Sequence, residues 1–178
     1  NRLKFEIERL VNEKNDLIER ISRQKRLDVL MADPESHKKE SLVATVIGRA
    51  ATQWSKVVFI NKGVEDGVRT HSAVVTNSGV IGQIIHAGST TSKVLLTIDS
   101  RSAVDSIFQG SRVSGVVVGT GEKQCRIKYV ANTAEVKVGD QVLSSGLGGI
   151  FPKGLVIGMV SKVARKKQGL FQEITLAP

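Results

Sequence analysis

The sequence predicts a mainly β protein: two small antiparallel β-barrels preceded by an N-terminal α-helical coiled-coil stem. Three observations carry this reading. All 17 glycines lie at or after Gly48, and the first 40 residues have none. Residues 2–31 also lack proline and are rich in Leu, Glu, Lys and Arg, which favour helix. From Ser41 onward Val, Ile and Thr supply 22, 11 and 10 of 138 residues, and β-branched side chains pack well on a pleated surface.

The stem comes first. Its apolar residues Leu3, Ile7, Leu10, Leu17 and Ile21 follow a 3-4 spacing. With Ile7 at heptad position a, Leu3, Leu10 and Leu17 fall at d, and Lys14 and Ile21 at a. A lysine at one a position costs stability but disfavours higher oligomers and helps to fix register. Leu3, Ile7, Leu10, Lys14, Leu17 and Ile21 are therefore the candidate self-association residues. Asp16–Arg20 and Glu19–Arg23 add i,i+4 pairs in the favourable order. Val11 and Ile18 at e widen the apolar stripe, which also suits a helix packed on its own β module. Asp33-Pro34 ends the helix, because proline disfavours helical geometry in the residue before it.

The expected organisation is a coiled-coil helix at 1–32, a linker at 33–40 and a tandem β-barrel module at 41–178. Short apolar runs broken by Gly, Asn, Asp and Ser predict about eleven strands. They fall at Leu42–Ile47, Lys56–Asn61, Ala73–Thr76, Val80–His86, Lys93–Thr97, Ala103–Ile107, Val113–Val118, Arg126–Val130, Gln141–Ser144, Val156–Val163 and Phe171–Leu176. A weak internal repeat aligns Val68–Thr76 with Val136–Ser144 and sets His71 opposite Gly139. Each copy leads through a turn to a second strand, and the second copy carries an insertion around Gly146–Lys153. The repeat suggests two related barrels, one built from about 41–76 plus 132–178 and the other inserted at about 77–131.

Composition narrows the function. The single cysteine, Cys125, excludes an intrachain disulfide framework and a Cys-rich zinc site. No apolar run reaches the length of a membrane span, roughly 18 residues. The helical pattern is already under way at residue 1, so a preceding segment is expected. The net charge of +9 is uneven: +1 over residues 1–40 and +8 over 41–178. A basic surface attracts nucleic acid, anionic head groups or an acidic protein.

The residue types of catalysis are thin. His37 lies in a polar linker and His86 at a strand end, neither at metal-ligand spacing from another His or Cys. His71, Asp99 and Ser145 occur in a triad order, but triads are defined by geometry rather than order. Ser145 sits in Leu143-Ser-Ser-Gly-Leu-Gly-Gly149, which is no nucleophile elbow. Neither this segment nor Gly115-Val-Val-Val-Gly119-Thr-Gly121 has the Lys-Ser/Thr of a phosphate loop, so both read as turns. The basic cluster Lys162, Arg165, Lys166 and Lys167 has only Phe171 beside it, too few aromatics for stacking bases.

The loops carry a resemblance. Ile60-Asn-Lys-Gly63-Val-Glu-Asp-Gly67-Val, Val74-Val-Thr-Asn-Ser-Gly79-Val-Ile-Gly82 and Lys93-Val-Leu-Leu-Thr-Ile-Asp99 resemble the bacterial rod shape-determining MreC family. So do Val138-Gly-Asp-Gln-Val-Leu-Ser-Ser-Gly-Leu-Gly-Gly-Ile-Phe-Pro-Lys-Gly154 and Gly169-Leu-Phe-Gln-Glu-Ile. The chain departs from the family at Thr70-His71-Ser72-Ala73, where Gly and Pro are usual. The resemblance implies a bitopic inner-membrane protein whose stem and barrels lie in the periplasm. It implies no cofactor and no catalytic residues. The implied role is a non-enzymatic scaffold of cell elongation that organises peptidoglycan synthesis and maintains rod shape. The implied partners are a class B penicillin-binding protein, RodA, MreD, MreB and RodZ, with self-association through the stem. For such a scaffold Phe151, Trp54 and Phe171 are the candidate partner-binding residues. A basic nucleic-acid-binding barrel and a serine-protease-like hydrolase are the alternatives.

Overall fold

The computed structural model describes residues 41–50, 52, 54–165 and 169–178. The expected stem and linker, with Leu3, Ile7, Leu10, Lys14, Leu17, Ile21 and His37, lie outside the described residues. Residues 42–178 form one compact unit.

Eleven strands follow in order: β1 (Val46–Arg49), β2 (Val57–Ile60), β3 (Ala73–Thr76), β4 (Gly79–Ala87), β5 (Ser92–Leu96), β6 (Ala103–Phe108), β7 (Ser114–Gly119), β8 (Cys125–Lys128), β9 (Gln141–Ser144), β10 (Val156–Ala164) and β11 (Glu173–Ala177). Each overlaps an expected strand. The largest displacement is at β1, expected from Leu42, where the exposed Leu42 and Val43 find no neighbouring strand and pairing starts at Val46.

The strands form two antiparallel sheets, and only one of them closes. The first has the order β1-β2-β5-β4-β3; the second is a closed six-stranded barrel, β10-β11-β8-β7-β6-β9. The first sheet is therefore an open sheet and not the second barrel that the sequence predicts. Its edge strands, β1 and β3, are four residues each and pair with one neighbour each. The expected nesting of one barrel within the other is also corrected, because each sheet is continuous in sequence. The hairpin β3–β4 recruits β5, and the hairpin β9–β10 recruits β11, so each takes the next strand along the chain.

The cores follow from alternation. Along β8 the side chains read in, out, in, out from Cys125 to Lys128, the period of a strand with one buried face. Val104, Phe108, Val117, Cys125, Ile127, Val142, Val160, Ile174 and Leu176 fill the barrel. A smaller cluster of Val58, Ile60, Ile84 and Val94 lines the first sheet. Val80 of β4 packs into the barrel core, so the two sheets share an interior. Gly79 makes that approach possible: a side chain there would run into the carbonyl of Val156 at the start of β10.

The connection between the sheets is tied by Asp99, whose side chain is fully buried. Its carboxylate accepts hydrogen bonds from the backbone N–H of Lys56 at 2.8 Å and of Arg101 at 2.9 Å. The Arg101 guanidinium donates two more at 2.9 Å, and a third nitrogen–oxygen contact at 3.0 Å reaches Ser55. This hydrogen bonding from Arg101 holds the Asp99 carboxyl down at about 2. Nearby, the buried Cys125 thiol faces the carbonyl of Thr97, and burial pushes its pKa up to about 11.

The internal repeat is exact to the hydrogen bond. The N–H of His71 donates to Ile84, and Ile84 donates back to Ser72; the N–H of Gly139 donates to Val160, and Val160 donates back to Asp140. His71 adopts a left-handed φ of 66°, close to the 93° of Gly139, so the histidine takes the glycine's conformation. Both hairpins bulge at the same place: Val74 pairs Gly82 and Val75 pairs Val80, while Val142 pairs Gly158 and Leu143 pairs Val156.

Candidate partner-binding surface

The triad order does not become a triad. Asp99 spends its acceptors on Arg101 and Lys56 and receives nothing from His71. The N–H of His71 is held by Ile84 in its turn, and the Ser145 hydroxyl accepts from Leu147. Among the described residues no group of three His, Cys, Asp or Glu side chains is placed to hold a metal ion. Among them, too, no helix is long and apolar enough to cross a membrane.

The three candidate aromatic contacts separate. Phe151 is corrected: it is 7% exposed and belongs to the barrel core. The insertion that carries it leaves Leu147 exposed and folds back so that Phe151 enters the core. Ser144 fastens this loop, its hydroxyl donating to Pro152 and accepting from Leu155. Trp54 is 88% exposed, in the turn before β2. Phe171 is half exposed and meets Tyr129 edge to face, with ring centroids 5.9 Å apart.

That aromatic pair stands at the end of an open groove of about 480 Å³ on the outside of the barrel. Strands β8, β11 and β10 form its floor. Thr175 of β11 pairs with Arg126 on one side and with Lys162 on the other, so the two cations share one row across three strands. Lys128 lies two residues from Arg126 on the same outward face. Tyr129 then breaks the alternation. With a φ of 64° it is turned outward directly after an outward lysine, and the following Val130 is buried. Glu173 and the buried Gln172 complete the lining.

The sequence pattern singles out Lys162 and Arg165 from this region, and both are exposed. Lys166 and Lys167 lie outside the described residues. Arg126, Lys128 and Tyr129 were missed, although the alternation of Cys125-Arg-Ile-Lys128 already places two cations on one face. The left-handed turn at Tyr129 has no such signal.

The comparisons with known proteins agree with this architecture. The family model described as "Rod shape-determining protein MreC, barrel core" matches residues 46–178. The cell shape-determining protein MreC of Listeria monocytogenes is 37% identical over 144 residues, covering 78% of this chain and 49% of that protein. The chain thus spans about half the length of this curated relative. The crystal structure of MreC from Pseudomonas aeruginosa superposes with a TM-score of 0.77 at 31% identity, over 79% of this chain and 91% of that one. A complex between penicillin-binding protein PBP2 and MreC from Helicobacter pylori shares the fold, with a TM-score of 0.61 at 23% identity over 75% of this chain and 83% of that one. The open sheet, the closed barrel and the match across nearly all of both lead to one assignment: the chain belongs to the rod shape-determining MreC family.

Proposed function

We propose that this chain is the extracytoplasmic part of a non-enzymatic scaffold of the bacterial cell-elongation machinery, which organises peptidoglycan synthesis and maintains rod shape. The observation that carries it is the family match across residues 46–178, the two sheets described above. The proposed location is the periplasmic side of the inner membrane, with a membrane anchor supplied outside this sequence. A class B penicillin-binding protein is the first proposed partner, because the Helicobacter pylori relative forms a complex with PBP2. RodA, MreD, MreB and RodZ are further proposed members of the assembly.

The mechanism is one of display. A helix over residues 1–32, joined by a linker at 33–40, pairs two copies through Leu3, Ile7, Leu10, Lys14, Leu17 and Ile21 in a heptad seam. Pairing presents two β units together and raises the effective concentration of weakly held partners. The exposed Trp54 and Phe171 are the proposed aromatic contacts, since such residues dominate interface energetics.

The test is replacement in a rod-shaped bacterium depleted of its own counterpart, with this chain fused to that protein's membrane segment. Restored rods support the reading; cells that stay round overturn it. Sedimentation of the purified chain addresses the stem. Dimers abolished by Leu10→Lys support the seam, and dimers that survive it overturn the seam.

A further inference from the structure

We propose that the groove across β8, β11 and β10 is a docking site for an extended acidic polypeptide segment carrying an apolar residue. The inference rests on the scaffold reading for a protein partner and specifies the chemistry of that partner.

Charge complementarity selects the occupant. Arg126 and Lys128 lie on one face of one strand, about 6.6 Å apart along it at the usual strand rise. Arg126 and Lys162 lie two strands apart in one row, about 10 Å at the usual strand spacing. An extended peptide repeats its side chains on one face at the same 6–7 Å interval, to order of magnitude. Carboxylates at alternate positions of such a segment therefore meet Arg126 and Lys128 together, and Lys162 flanks them. The next side chain on that face reaches the Tyr129–Phe171 pair at the groove's end. Arginine and aromatic residues are the side chains enriched at protein interfaces.

Other anionic surfaces fit less well. Glu173 lies among the cations, which disfavours a uniform polyanion and favours an occupant with spaced charges. A lipid surface engages protruding tips, whereas these cations line a groove. The barrel is closed, so no strand edge is offered here. Recognition runs through side chains, and the exposed outward face can be substituted without opening the ladder.

The test is fluorescence anisotropy of the full chain with a labelled synthetic peptide. The probe carries two glutamates separated by one serine, and a leucine two residues further on. Its control replaces both glutamates by glutamine. The glutamate peptide is expected to bind about tenfold more tightly than the control, the difference shrinking with salt. Arg126→Glu and Lys162→Glu should each weaken it about tenfold, and Phe171→Ala about fivefold. Arg49→Glu, on β1 of the other sheet, should leave it unchanged. Equal binding of both peptides, or indifference to Arg126→Glu in a variant whose melting is unaltered, overturns the proposal. Capture of phosphatidylglycerol vesicles that displace the peptide also overturns it, in favour of a lipid surface. If peptide binding fails while the chain still restores rods in the depleted bacterium, the groove assignment falls and the scaffold reading stands.

Discussion

The hairpins β3–β4 and β9–β10 are the same device built twice, yet one ends in an open sheet and the other in a closed barrel. Their registers, bulges and left-handed turns agree. Their third strands also approach alike, for a side chain on Gly82 would strike the carbonyl of Leu95, and one on Gly158 the carbonyl of Ala177. The barrel closes through the pairing of β11 with β8 and of β6 with β9, and the two hairpins themselves differ at their tips. Asn77 and Ser78 alone separate β3 from β4, whereas residues 145–155 separate β9 from β10. The longer connection turns Phe151 into the barrel interior. A short tip instead leaves the start of β4 close to the start of β10, with Gly79 and Val80 resting on the neighbouring sheet. The pair teaches that a hairpin's register is local, while what it delivers to the core depends on its tip and what its sheet becomes depends on distant strands.

That comparison can be broken first at Phe151. Phe151→Ala removes a large core side chain from the inserted loop and should cost about 3 kcal/mol of stability, measured by urea unfolding. A loss under about 1 kcal/mol would mean that the loop is an ornament and the barrel closes without it. The bulge glycines come next. Gly82→Val and Gly158→Val should each cost about 2 kcal/mol by forcing the third strand away, and the two costs should match. A large inequality would deny the equivalence of the two hairpins.

Acid sharpens the role of the linker between the sheets. The folded pKa of Asp99, about 2, lies below the 3.8 of an unperturbed aspartate. A lowered folded pKa gives stability that is full above pH 4 and is lost as pH falls toward 2. The gap between 3.8 and about 2 corresponds to at most about 2.5 kcal/mol, reduced by solvent and salt because Arg101 is largely exposed. Unfolding midpoints from pH 5 to 2 should therefore fall less steeply in Asp99→Asn than in the parent chain. The smallest effect is a gain. His71→Gly relieves a left-handed side chain and should raise stability by up to about 1 kcal/mol, whereas Gly139→His should lower it.

Strand identity was legible because alternation and turn residues are local: Cys125-Arg-Ile-Lys128 shows its buried and exposed faces without any partner. The repeat was legible for the same reason, down to the eight-residue insertion. Closure was not. Whether β1 meets β3, or β11 meets β8, depends on pairings between distant segments that leave no trace in either segment alone. Phe151 shows the limit at a single residue. A phenylalanine among glycines reads equally as an exposed anchor or a folded-back plug, and the answer rests on Ser144 tying the loop down. The groove was half visible, with Lys162 and Phe171 noted on their own strands and Arg126, Lys128 and Tyr129 brought beside them by the pairing of β8 with β11.

The burial of Cys125 gives the barrel a clock. A thiol attacks alkylating reagents as its thiolate, and this one is both fully enclosed and shifted to about 11. It should react only when β8 comes away from its neighbours. Since the chain has a single cysteine, the rate at which iodoacetamide labels the folded protein, set against the rate in urea, reports the free energy of opening the barrel without any engineered probe.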